Sequence, residues 1–200
     1  QYQQQGVLKA LMQSPVTANF WRALTDNDLG NGMQKWAAVW QQAAANLQLA
    51  SLTDKRHLQG VEVIAKYSSP DFAGSYQVNY LLHRDGRIAI DSQLQLDDGQ
   101  KLPNLPRLGM QMVMPGDYKK LSWFGRGPHE SYADRQTSAQ IGLYKSLVAE
   151  QIEHYSRPQE NANKTDVRWL ALKNASGAGL LAVGKQPLSA SAWPYLQRDI

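Results

Sequence analysis

From about residue 60 onward, polar and apolar positions in this chain alternate with a period of two. Val61–Tyr67 reads as a strand, because successive strand side chains point to opposite faces. Ser75–Leu82 reads as a second strand. Arg87–Leu96, whose register breaks once, reads as a third. Between the last two sits Arg84-Asp85-Gly86, and Asp-Gly supplies the positive φ angles that a tight hairpin turn requires. Leu108, Met110, Met112 and Met114 also alternate, and a one-sided methionine row is expected to fill a core. Further strands are expected at Lys120–Phe124, Val167–Leu172 and Gly179–Val183. Pro103, Pro106, Pro115, Pro128, Pro158, Pro187 and Pro194 punctuate these runs. The earlier stretch Met33–Leu47 has a different period. Its Met33, Trp36, Ala37, Trp40, Ala43, Ala44 and Leu47 recur at helical spacing, with Trp36 and Trp40 one turn apart on one face. Short strands, Gly/Pro turns and one short early helix predict an all-β, antiparallel sandwich.

Composition narrows the chemistry. The 200 residues include no cysteine, so disulfides, thiol nucleophiles and Cys-based metal sites are excluded. The apolar fraction of 42% and charged fraction of 19% argue against disorder. No apolar run is long enough for a membrane helix, and Gln1–Pro15 lacks the pattern of a signal peptide. The net charge is +4, but it is scattered without a basic block. Neither a nucleic acid nor a membrane is therefore expected as a partner.

Three polar clusters interrupt the strand pattern. The first, residues 19–32, holds Arg22, Asp26, Asn27, Asp28, Gly30 and Asn31 beside two aromatics. It reads as a loop. Its carboxylates and amides suit a structural turn, a ligand-facing surface or a cation site. The second, residues 123–135, contains His129 next to Glu130, and a Ser131/His129/Asp134 triad exists on paper. It lacks both a nucleophile elbow and the residues of a phosphate loop. The third, residues 153–169, carries Glu160, Asn161 and Arg168 among planar hydrogen-bonding groups of the kind that match sugar hydroxyls. The four histidines show no zinc spacing. The residues themselves thus indicate a β-sandwich domain with polar, carbohydrate-compatible loops.

The same clusters carry a resemblance. NFWRALTDNDLGNGMQKW (residues 19–36) resembles the opening signature of the C-terminal, small-chain domain of the family-2 β-galactosidases, with Leu24 where that family usually has Pro. WFGRGPHESYADR (residues 123–135) is similar to its GxGPxExYxDR element. RPQENANKTDVRW (residues 157–169) resembles its PQExGN…VRW element, with Ala162 where Gly is common. GLLAVGKQPLSASAWPYLQRDI (residues 179–200) matches the segment that follows.

The resemblance implies an antiparallel β-supersandwich of the galactose-mutarotase type. It implies that residues 1–200 form a single domain, cut at both ends from a longer retaining glycosidase. Both catalytic carboxylates, and the Mg and Na expected in the parent enzyme, would then lie in a separate barrel, leaving no catalytic, cofactor or metal residue in this segment. Its expected partners are the other domains of a homo-oligomeric parent, with a β-galactoside at the pocket rim. Rim candidates are Arg22, Asp26, Asn27, Asp28, Gly30, Asn31, Glu160, Asn161 and Arg168, with Gly30 as a hinge. The cytoplasm is favoured over the periplasm. The alternatives are a stand-alone carbohydrate-binding β-sandwich module, and a mutarotase-like epimerase that would need His83, His129 and His154 to converge with glutamates.

Overall fold

The computed structural model describes residues 2–4 and 7–200, with side chains described from Ala10 onward. The leader reading falls partly on Gln1, Gln5 and Gly6, which lie outside the described residues. The elements are β1 (Tyr2–Gln4), β2 (Val7–Lys9), β3 (Ser14–Asn19), α1 (Asp26–Gly30), α2 (Met33–Trp36), α3 (Val39–Ala43), β4 (Gln48–His57), β5 (Gly60–Ser68), β6 (Gly74–His83), β7 (Ile88–Leu96), β8 (Gly109–Val113), β9 (Lys120–Gly127), β10 (Gln140–Leu147), β11 (Lys164–Lys173) and β12 (Gly179–Ala190). The two four-stranded sheets run β10-β9-β11-β12 and β4-β5-β6-β7, antiparallel throughout. The all-β antiparallel class predicted from the alternation is therefore what the chain adopts. The chain divides into two compact units. The first comprises residues 1–17, 22–31 and 110–200, and the second 18–21 and 32–109.

The second unit is a four-strand meander with an aromatic core. Its predicted hairpin forms at Asp85-Gly86, where His83 N–H donates to Arg87 O at 2.8 Å and Gly86 takes φ 87°. Ala65 pairs with Val78 and Tyr67 with Tyr76, so the alternation places Ala65, Tyr76 and Val78 on one buried face. Phe20 meets Tyr76, Trp40 and Phe72 edge-on at 5.5, 6.2 and 6.4 Å between ring centres. Each such pair adds about 0.5–1.5 kcal/mol beyond area burial.

The expected single helix is broken here into α2 and α3. Trp40 N–H donates to Ala37 O and Gln41 N–H to Ala38 O, at 3.0 and 3.1 Å. These tighter three-residue turns rotate Trp40 off the face of Trp36. Trp40 is only 1% exposed and donates its indole N–H to Pro103 O at 3.0 Å, whereas Trp36 is 44% exposed. The alanines favour helix, so the break follows from the packing of Trp40 rather than from propensity. Strand β4, unpredicted, is an edge strand whose residues are all exposed, so no buried face imposed alternation on it.

In the first unit, β9 and β11 are the central strands of their sheet. Leu121, Trp123 and Val167 form the apolar core, and Tyr144 packs on Trp123 with ring centres 5.3 Å apart. Gly125 allows the strands to approach closely, because a Cβ there would lie 2.8 Å from Val167 Cα. Strand β11 bulges on both sides of Val167. Strands β3 and β8 form a two-stranded pair, with Gln13 N–H donating to Val113 O at 2.6 Å. The methionine row on β8 is half-buried rather than core, since a two-stranded ribbon leaves much of its surface uncovered. No helix among the described residues is long and apolar enough to cross a membrane.

Candidate functional site

All nine rim candidates fall in the first unit. The first group is organised by a helix cap. Thr25 precedes α1 with extended backbone, and its hydroxyl accepts Asp28 N–H at 3.2 Å. Asp28 answers by accepting Thr25 N–H at 2.9 Å and Thr25 Oγ1–H at 2.8 Å. This reciprocal box satisfies donors that a helix start leaves open. Arg22 adds a two-point ion pair, with Nη2 and Nη1 each 2.7 Å from an Asp28 oxygen. Both Asp28 oxygens are thus taken by donors and the residue is buried, so Asp28 has no oxygen left facing outward to share with Asp26 in a Mg or Na cage.

The rest of this group faces outward. Asp26, Asn27, Gly30 and Asn31 are at least partly exposed. Gly30 is helical, and Gly32, not Gly30, holds the left-handed conformation at φ 76°. The left-handed backbone that motivated a hinge at Gly30 is found at Gly32 instead. Asp26 reaches across the sequence: its N–H donates to Gln159 Oε1, and Gln159 Nε2 donates to its Oδ2, both at 3.3 Å.

The second and third clusters meet around Glu130. This buried carboxylate accepts Arg135 Nη2 at 2.6 Å and Ala162 N–H at 2.8 Å, and it also accepts the hydroxyl of Tyr155. Ala162 holds φ 64°, which turns its N–H onto that carboxylate. Ser131 is fully buried. Its N–H donates to Asn163 O at 2.8 Å, and its hydroxyl accepts Thr165 N–H at 2.9 Å. The paper triad therefore does not form, and His129 instead contacts Ser138 Oγ at 2.9 Å. Lys164 is buried, with its ammonium 3.2 Å from Ala162 O and 5.4 Å from the Trp123 ring centre. Burial pulls its pKa down to about 8, against the opposing pull of Glu130 and Glu153. Burial, then the charges of Glu160 and Glu130, hold the Tyr132 hydroxyl protonated far above the ordinary tyrosine range.

Glu160 and Asn161 belong to this buried group. Asn161 Nδ2 donates to Gln159 O at 2.8 Å, and its own carbonyl accepts the indole N–H of Trp193 at 3.0 Å. Its Oδ1 is buried without a hydrogen-bond partner among the described residues. Trp193 and Tyr195 pack 5.9 Å apart beside it. Arg168 lies elsewhere, over the Phe124 ring at 5.6 Å. His83 is in the second unit. Lys164, Tyr155, Trp193 and Tyr195 are site members that sequence reasoning misses, and Glu130 gains its role only from the fold. The available signal is charge placed in loop segments that a sheet must bury.

The arrangement positions loops and offers acceptors and ring faces to a polar ligand. Asp28 and Glu130 are each engaged by an arginine, Arg22 and Arg135.

Comparison with known proteins places these motifs in context. The whole chain, residues 1–200, matches the family model of the β-galactosidase small chain. It is 38% identical over 185 residues to a β-galactosidase of Priestia megaterium, which covers 92% of this chain but 18% of the relative. It is 31% identical over 193 residues to a β-galactosidase of Halalkalibacterium halodurans, covering 94% of this chain and 19% of the relative. A β-galactosidase of Lactobacillus delbrueckii subsp. bulgaricus is 31% identical over 182 residues, covering 90% of this chain and again 18% of the relative. The chain spans less than a fifth of the length of these relatives.

Proposed function

As the chain belongs to the β-galactosidase small-chain family, we propose that it is a non-catalytic module of a β-galactosidase that forms part of the rim of the sugar pocket. The observation that carries this reading is the match of all 200 residues to the small-chain family model, together with the match of over nine-tenths of the chain to under a fifth of two β-galactosidases. The ion-paired state of Asp28 and Glu130 supports assigning the retaining chemistry, with its two carboxylates, to the remainder of the enzyme. The Mg and Na of the parent are assigned there too.

At the rim, Asp26, Asn27, Gly30 and Asn31 present the outer face of the α1 turn, and Arg22 and Asp28 fix that turn from beneath. Trp193 and Tyr195, packed over the buried Asn161, offer ring faces to a sugar. Glu160 supports this group, and Arg168 is the outlying member. The parent is read as a homo-oligomer acting on terminal β-D-galactose residues.

A chromogenic β-galactoside assay tests the reading. The isolated chain is expected to give no turnover, and adding it to the remaining portion of the enzyme is expected to restore activity. Hydrolysis by the isolated chain would defeat the non-catalytic assignment. Sub-millimolar galactose binding by it in calorimetry would favour a stand-alone carbohydrate-binding module.

A further inference from the structure

The sheet β10-β9-β11-β12 has two faces with different surroundings. One carries Leu121, Trp123 and Tyr144 into the core. On the other, the register sets Leu143 opposite Phe124, Phe124 opposite Trp169, and Trp169 opposite Val183. Directly paired residues project to the same side, so these four side chains form one apolar row across every strand. Ile141 and Leu181, two residues along their strands, extend it. Leu143 and Val183 are 61% and 68% exposed. An antiparallel sheet with one solvated face normally turns polar residues outward; here they flank the apolar row, with Arg126 opposite Ile141, Ser122 opposite Lys145 and the Arg168 guanidinium over Phe124. At one end of the same face the pairing brings Lys120 beside Lys173, and Lys145 lies next along β10.

Extended apolar faces of this kind mark interaction sites. We propose that this face docks the module onto the remainder of the β-galactosidase. The surface it meets there is apolar at its centre and carries carboxylates at the edge facing Lys120, Lys145 and Lys173. The proposal rests on the module reading above and specifies which surface serves it. The size of the missing partner supports that occupant: the chain is 18–19% of its relatives, so more than four-fifths of such an enzyme lies outside it. The lysines supply the charge preference.

The test uses the assembled enzyme, whether its parts are one polypeptide or two. Carbene footprinting is expected to label Leu143 and Val183 as weakly as core Leu121, because the centre of a docked interface excludes solvent. Zero-length carbodiimide coupling is expected to join Lys145 or Lys173 to Asp or Glu residues outside this chain's 200. Labelling of Leu143 and Val183 several-fold above Leu121 would overturn the assignment of this face, and the module reading would survive. Coupling of these lysines to a second copy of this module would overturn it in favour of self-association. Full activity from the remaining portion alone would instead remove the module reading beneath it.

Discussion

Around Phe20 the second unit buries aromatic rings, whereas around Glu130 the first unit buries charges, amides and hydroxyls. The ring cluster depends on area and shape, which fall off gradually as side chains shrink. The Glu130 group depends on complete hydrogen bonding, where one lost partner strands another. The two regions should therefore differ both in what a full truncation costs and in what a near-isostere recovers.

The largest effects come from truncation. Phe20→Ala should destabilise the second unit by about 3–5 kcal/mol. Glu130→Ala should destabilise the first by a smaller ~1–3 kcal/mol, by stranding the buried Ala162 N–H, since Arg135 and Tyr155 are solvent-exposed. Native-state hydrogen exchange read unit by unit measures both. Near-isosteres then separate them. Phe20→Leu should recover most of its loss, whereas Glu130→Gln should recover little, since the amide cannot replace the charge. Equal recovery would erase the contrast.

A pH series sharpens it further. The Lys164 pKa is about 8 in the fold and near the ordinary 10.5 when unfolded. The unfolded chain therefore binds more protons between those values, and stability should rise with pH from about 8. The raised hydroxyls of Tyr76 and Tyr132 come into play above about pH 10, where unfolded tyrosines ionise first and the folded ones hold their protons. Their sign is opposite: the folded state then binds more protons, so the gain from Lys164 is offset there. The expected signature is a rise confined to about pH 8–10, absent in Lys164→Met. A flat profile in the unmodified chain would mean that the ammonium is solvated.

The smaller effects are backbone ones. Thr25→Ala should cost about 1 kcal/mol through the α1 cap, with Thr25→Ser close to neutral. Ala162→Gly should stabilise by about 1 kcal/mol, since Ala162 is left-handed. A loss there in thermal melting would show that the Glu130 contact, not backbone strain, dominates at that residue.

The contrast also explains what the sequence revealed. Strands β5 and β6 were legible because a buried face enforced alternation on them, whereas β7, almost wholly exposed, was legible from its own alternation and the Asp85-Gly86 turn before it. Strand β4 was not, being exposed along its length, and β10 carries its large apolar residues on the outer face. The α2/α3 break was hidden because alanines favour helix while tertiary packing of Trp40 decides. Thr25-x-x-Asp28 did carry a capping signature, which the abundance of loop-like polar residues around it obscured. The Glu130 group was hardest to see, since its members come from separate segments and only the fold assembles them. The family motifs nonetheless spanned both halves of that group, which is why resemblance reached further than periodicity.

The bond between Asp26 and Gln159 has a consequence in time. Its partners are 133 residues apart, and the first unit draws on residues 1–17, 22–31 and 110–200. On a ribosome, all residues of the second unit have emerged while the α1 turn still awaits Gln159. At roughly 5–20 residues per second, that wait lasts several seconds. The segment bearing Arg22 to Asn31 thus leaves the ribosome well before the Gln159 that ties it down. During that interval the Thr25–Asp28 box, with every partner within six residues, is what keeps the turn in shape.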